Sequence, residues 1–157
     1  SKNIGGLSNS LGMFAESMFS GNLPEVFLET GYNFADVSCN KKFQEGKQVI
    51  AEVDAFLESE ERAVLVEIKF VLSCEHVDEH IQRIKRIRKL MDARGDRRVF
   101  IGAVAGESVN EDVCRYAHDN GLYVLVQSGD AVELAELPQD FSPAQFLPAA
   151  PPAAQHG

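Results

Sequence analysis

Residues 48–71 read QVIAEVDAFLESEERAVLVEIKFV, and this stretch decides the fold. It contains two apolar, β-branched runs, 48–57 and 63–71, on either side of the polar segment 58–62. Two such runs with a short polar break between them are typical of neighbouring strands. We therefore expect an antiparallel hairpin with largely buried strands.

Four charged side chains interrupt these apolar runs: Glu52, Asp54, Glu67 and Lys69. Because side chains alternate between the faces of a strand, we expect Glu52 and Asp54 to share one face of the first strand. By the same rule Glu67 and Lys69 share one face of the second strand. Charged groups in an apolar setting are costly to bury unless they are paired or bind a metal. The pattern therefore predicts one carboxylate and lysine cluster with a chemical role.

The chemistry of this cluster suits a divalent metal. Asp54 and Glu67 are oxygen donors of the kind that Mg²⁺ prefers, and the backbone carbonyl of Ile68 is a further oxygen. A bound ion would lower the pKa of a water ligand and polarise a phosphate. We expect Lys69 to position that water or to stabilise charge on the reacting phosphate. These residues predict metal-assisted phosphodiester hydrolysis.

The segments around the hairpin extend the expected fold. Hydrophobic spacing and capping residues predict helices, whose ranges are 7–19, 23–30, 75–93 and 109–119. The expected strands outside the hairpin are 34–43, 98–105, 122–126 and a short edge at 131–134. This order predicts an α/β domain, 1–137, with a mixed sheet flanked by helices. The Pro/Ala-rich segment 138–157 is expected to be a flexible tail.

Asp54, twelve intervening residues and Glu67-Ile68-Lys69 together resemble the PD-(D/E)xK motif of the restriction-endonuclease-like nuclease superfamily. Val53 stands where the motif has proline, and the order of elements over roughly 7–127 also resembles that fold. The resemblance implies a restriction-endonuclease-like core and a nuclease or nuclease-like protein acting on DNA. It also implies Mg²⁺ or Mn²⁺ at Asp54 and Glu67, with Lys69 as the catalytic lysine.

The resemblance implies two accessory residues as well. An acidic residue of the first helix often joins the site in this superfamily, and Glu16 is the matching candidate. Some members place a polar residue in the helix after the motif, and Gln82 stands there.

The charge of the chain is unevenly distributed. The net charge is −9, but residues 83–98 hold eight basic and two acidic side chains. On a helical wheel Lys85, Arg86 and Lys89 lie opposite the apolar stripe, whereas Arg88 falls near it and either extends to solvent or points toward the site. We expect these four side chains to bind the phosphate backbone of DNA, with RNA left open as a substrate. A solvated polar helix face is the alternative.

Other interpretations remain open at this stage. A non-catalytic nucleic-acid or protein-interaction module on the same fold is the main alternative. The hairpin charges alternatively form solvent-facing cross-strand pairs. Cys74, His76 and His80 hint at zinc without an evident fourth ligand. Cys74 or Cys114 with a nearby histidine hints at a nucleophile, without a recognisable signature.

Targeting features and cysteine content indicate the cellular compartment. We expect no signal peptide, because the first residues are polar and small, and the sequence has no apolar run long enough to span a bilayer. Its three cysteines are widely separated. These features predict a cytoplasmic protein with reduced thiols and no membrane partner. The absence of an initiator methionine favours a piece of a longer polypeptide. The sequence leaves open whether subunits pair, and a homodimer is the candidate assembly because two-fold dimers are the commonest soluble oligomers.

Overall fold

The computed structural model describes residues 23–150. The described residues form three helices and six strands, labelled here in chain order: α1 (Leu23–Leu28), β1 (Asp36–Glu45), β2 (Gln48–Glu58), β3 (Arg62–Val71), α2 (Cys74–Ala93), β4 (Val99–Ser108), α3 (Glu111–Asp119), β5 (Tyr123–Ser128) and β6 (Ala131–Leu134). The expected helix 7–19, with Glu16, lies outside the described residues. Within them, no helix combines the length and apolar character needed to cross a bilayer.

The strands form one mixed sheet in which spatial order follows chain order. Strand β2 runs antiparallel to both β1 and β3. Strands β3, β4 and β5 are parallel to one another, and β6 is antiparallel to β5. The register places Ala55 opposite Val66 and Glu58 opposite Ala63. The predicted mixed sheet with flanking helices, and its antiparallel hairpin, are confirmed.

Both faces of the sheet are covered. Phe27 of α1 packs with Ala55 and Val66 on one face. On the other face Ile84 of α2 packs with Leu65. The third helix lies against the parallel strands, where its apolar residues join the cluster around Val104 and Val124. Strands buried on both faces explain why their sequences are almost continuously apolar.

Helix α2 follows β3 and packs on the sheet beside the hairpin. Its N-terminus is closed by a capping box, in which the Ser73 side chain accepts a hydrogen bond from the His76 amide at 3.2 Å, and the Ser73 amide donates to His76 Nδ1 at 3.1 Å. Its buried face includes Val77, Ile84 and Ile87, as the helical spacing predicts, but also the polar residues His80 and Arg88.

The segment from Pro138 to Ala150 forms no helix or strand, and backbone hydrogen bonds attach it to β4 and to the turn between α3 and β5. Phe146 and Phe100 make an isolated antiparallel bridge, with N–O distances of 2.8 and 3.1 Å. The Ala144 amide donates to the Gly121 carbonyl at 2.9 Å. A Cβ on Gly121 would lie 2.4 Å from the Ala144 nitrogen, so only glycine permits this approach. The domain division at residue 137 stays a prediction.

Candidate metal centre between β2, β3 and α2

The hairpin opens at Asp54. The paired register of β2 and β3 reaches Ala55 and Val66 and ends there. Beyond it, Asp54 Oδ2 accepts a 2.7 Å hydrogen bond from the backbone amide of Ile68. A side-chain hydrogen bond joins Asp54 to Glu67. The structure thus brings the two carboxyl groups together. The Asp54 carboxylate accepts the hydrogen bond of the Ile68 amide, as a backbone carbonyl would in a paired strand.

Glu67 lies in a setting that opposes its charge. The residue is only 8% exposed. Burial raises the pKa of Glu67 to about 8, and the hydrogen bond and negative charge of Asp54 act in the same direction. The positive charges of Arg83 and Lys69 partly offset this rise. Lys69 is therefore close enough to Glu67 for their charges to interact, as the shared strand face predicts.

Two residues of α2 that the sequence did not assign to the cluster contact it. Arg83 Nη1 forms an ion pair with Glu67 Oε2 and also donates to His80 Nδ1 at 2.9 Å. Because a guanidinium has no acceptor, Nδ1 must accept, and the proton of the neutral imidazole is on Nε2. Nε2 in turn donates to the Leu65 carbonyl at 2.9 Å. Burial lowers the pKa of His80 to about 4, which keeps the ring neutral. The signal available in the sequence was a histidine on an apolar helix stripe with an arginine one turn later.

Glu52 is not part of the cluster. It is exposed, while Ala51 and Val53 on either side are buried in the apolar cluster beneath α2. Val53 and Phe56 share that cluster although they are three residues apart, so strict alternation is interrupted at Asp54. The partner strand is irregular there too, because Asn40 has a φ of +51°. Glu52 thus lies on the exposed side of β2, and its shared face with Asp54 stays a prediction.

Three basic residues of α2 lie on its exposed face. Lys85, Arg86 and Lys89 are exposed. Gln82 is also exposed and lines an open pocket of about 440 Å³ that includes Asp78, Glu79, Arg83 and Arg86.

Arg88 belongs to neither the exposed face nor the cluster. It is buried, donates from Nε to Asp92 Oδ1 at 2.8 Å, and bonds the backbone carbonyls of Asp96 and Arg98. Its guanidinium lies 4.1 Å from the centre of the Phe100 ring. These contacts remove Arg88 from the expected nucleic-acid surface and give it the role of an anchor for the α2–β4 loop.

The donor set at the hairpin suits one class of ion. Within residues 23–150, no three His, Cys, Asp or Glu side chains are arranged as metal ligands. The two carboxyl groups with a neighbouring backbone carbonyl are hard oxygen donors, which fits Mg²⁺ or Mn²⁺ with water filling further positions.

The zinc and thiol alternatives receive no support from the contacts. His76 serves the helix cap, and both ring nitrogens of His80 have protein partners. Cys114 Sγ lies 3.8 Å from His118 Nδ1, but burial raises the pKa of the Cys114 thiol and so disfavours the reactive thiolate. The three cysteines are free.

Comparison with known proteins gives one structural similarity. No protein-family model matches the sequence, and no curated protein matches it significantly. Among solved structures, the chain is similar to the small subunit of the heterodimeric restriction endonuclease R.BspD6I, with a TM-score of 0.38 and 15% sequence identity. The similarity covers 70% of this chain and 62% of that subunit, so the chain spans less than two thirds of the subunit's length.

Proposed function

We propose that this chain hydrolyses phosphodiester bonds of DNA with Mg²⁺ or Mn²⁺, through a PD-(D/E)xK-type site on a restriction-endonuclease-like core. The observation that carries the proposal is the contact between the partly exposed Asp54 and the buried Glu67 at the point where the hairpin opens. Two carboxyl groups in contact, one of them buried, are unfavourable when both are charged. Their presence on otherwise apolar strands supports a site shaped for a cation.

The proposed roles follow from position and chemistry. Asp54 and Glu67 would hold the ion, with the Ile68 carbonyl as a third protein oxygen. The ion, when bound, lowers the pKa of a water ligand and polarises the phosphate. Lys69, whose charge already acts on Glu67, would orient the attacking water and stabilise negative charge on the phosphate. Glu16 remains a proposed accessory ligand.

The exposed basic face of α2 supports nucleic acid as the substrate. Lys85, Arg86 and Lys89 lie on the helix whose Arg83 contacts Glu67. A row of cations beside an acidic cluster allows an otherwise negative chain to approach phosphates. We propose DNA as the partner, with RNA as the alternative, and a cytoplasmic homodimer as the working form.

A cleavage assay with supercoiled plasmid and Mg²⁺ or Mn²⁺ tests the proposal. Wild type should cut, and Asp54→Asn and Lys69→Ala should each cut at least about 100-fold more slowly, because each removes part of the reacting centre. Glu52→Gln is the matched control, since Glu52 is an exposed carboxylate on the same strand, and it should cut like wild type. Undiminished cleavage by both site variants would show that the site is assigned to the wrong residues.

A non-catalytic nucleic-acid-binding module on the same fold is the second candidate. The ion pair between Arg83 and Glu67 favours it, because Glu67 is already compensated by a protein cation. This candidate predicts that the chain binds DNA equally well in EDTA and in Mn²⁺ and never cuts it. Metal-dependent cleavage by wild type that is lost in Asp54→Asn would exclude it.

A further inference from the structure

The geometry points to Arg83 as a built-in cation that competes with a divalent metal ion for Glu67. The inference rests on the proposed function, because it concerns the same carboxyl group. It adds a regulatory feature: the site has a resident cation, and a metal ion must displace that cation to reach Glu67.

The first support is the position of the guanidinium. Arg83 Nη1 pairs with Glu67 Oε2, and the side chains are 17% and 10% exposed, so this is not an exposed surface pair. Surface ion pairs contribute little, whereas a charge on a buried carboxyl must be compensated. Arg83 supplies that compensation from the protein itself.

The second support is that Arg83 is held in place by a buried partner. His80 is fully buried, and its Nε2–H is fixed on the Leu65 carbonyl at 2.9 Å. The lone pair of Nδ1 is therefore aimed at Arg83, whose Nη1 lies 2.9 Å away. One nitrogen of Arg83 thus bridges the His80 imidazole and the Glu67 carboxylate. Strand β3 sets this arrangement, because it carries both Leu65 and Glu67.

The third support is that the Arg83 side chain has space for a second position away from Glu67. It lines the open pocket of about 440 Å³ whose wall includes Asp78 and Glu79. Both of these acidic side chains lie on the exposed part of α2. A guanidinium released from Glu67 can turn into this pocket and remain near negative charge. Exchange between resident cation and metal ion therefore needs only a side-chain movement.

Calorimetric titration of the full chain with Mn²⁺ tests this inference at about pH 8.5, where a proton competes least for Glu67. Arg83→Gln should bind Mn²⁺ roughly tenfold more tightly than wild type, because the variant removes a like charge from the site. The matched control is Arg115→Gln, because Arg115 is an exposed cation on α3 that pairs with Asp112 and not with Glu67, and its affinity should stay within about twofold of wild type. Tighter binding is a result that a damaged fold cannot produce.

Further variants separate the possible failures. Adding Glu67→Gln to Arg83→Gln should abolish the gain, which assigns the binding to this carboxyl. Arg83→Met, which keeps the aliphatic packing, replaces Arg83→Gln if circular dichroism shows the latter to be unfolded. Equal or weaker Mn²⁺ binding by the Arg83 variants would overturn the inference, and Glu67-dependent binding by wild type would still leave the proposed function standing. If neither wild type nor the Arg83 variants bind Mn²⁺, both proposals fail.

Discussion

At the scale of single residues, Glu67 is a carboxyl group whose surroundings favour the proton. Its pKa of about 8 lies above the ordinary 4.5, so the folded state binds this proton more tightly than the unfolded state does. The stability from that proton is complete below pH 4.5 and is lost as the pH rises through about 8. Without metal, an ionised Glu67 therefore destabilises the fold.

Replacement of Glu67 by glutamine should remove this dependence. In EDTA, Glu67→Gln should be more stable than wild type by about 2 kcal/mol near pH 8.5, and the two should converge toward pH 4.5. Urea unfolding followed by circular dichroism measures the difference. Glu52→Gln should match wild type at both pH values, because Glu52 is exposed. A Glu67→Gln variant less stable than wild type at the higher pH would contradict the described burial.

His80 gives a second residue-scale prediction. Burial lowers its pKa from 6.5 to about 4, so the folded state disfavours the charged ring and His80 costs stability as the pH falls through this range. Nitrogen NMR of the histidine side chains should show His80 neutral, with the proton on Nε2, at about pH 5.5. A protonated ring at that pH, or a proton on Nδ1, would show that Arg83 does not donate to it.

At the scale of elements, α2 combines a structural arginine with exposed cations. Arg88 donates to Asp92 and to backbone carbonyls of the following loop, so Arg88→Ala leaves buried acceptors unpaired. We expect it to lower the free energy of unfolding by about 3 kcal/mol. Lys89→Ala, the exposed neighbour, should change it by less than about 0.5 kcal/mol. Chemical denaturation compares the two, and equal losses would place Arg88 at the surface.

The exposed face of α2 is expected to govern DNA affinity. Replacement of Lys85, Arg86 and Lys89 together by alanine should weaken DNA binding and reduce the slope of log affinity against log salt by about 2 to 3. Fluorescence anisotropy with a labelled duplex in EDTA over a salt series measures both. Arg115→Ala is the control, because Arg115 is an exposed cation on α3. An unchanged slope in the triple variant would show that DNA binds another surface of the protein.

At the scale of the whole molecule, the sheet could be predicted from the local pattern of apolar and polar residues. The apolar runs around the polar break predicted the hairpin, and the long amphipathic run after it predicted α2. Contacts between distant segments escaped prediction. The interruption at Asp54 arises because the hairpin opens there, and helical spacing alone does not show that His80 reaches Leu65 or that Arg88 serves the loop after its own helix. Polar residues on an apolar helix stripe indicate that such contacts exist, but the sequence does not show which residues they contact.

The proposed metal centre is one ion bound between two carboxyl groups of this domain. Anomalous diffraction from crystals soaked in Mn²⁺ tests it most directly. A metal centre of this kind should give a single strong peak within about 2.2 Å of oxygens of both Asp54 and Glu67, with Arg83 turned away from Glu67. Absence of a peak at these carboxyls while Arg83 still pairs with Glu67 would contradict it.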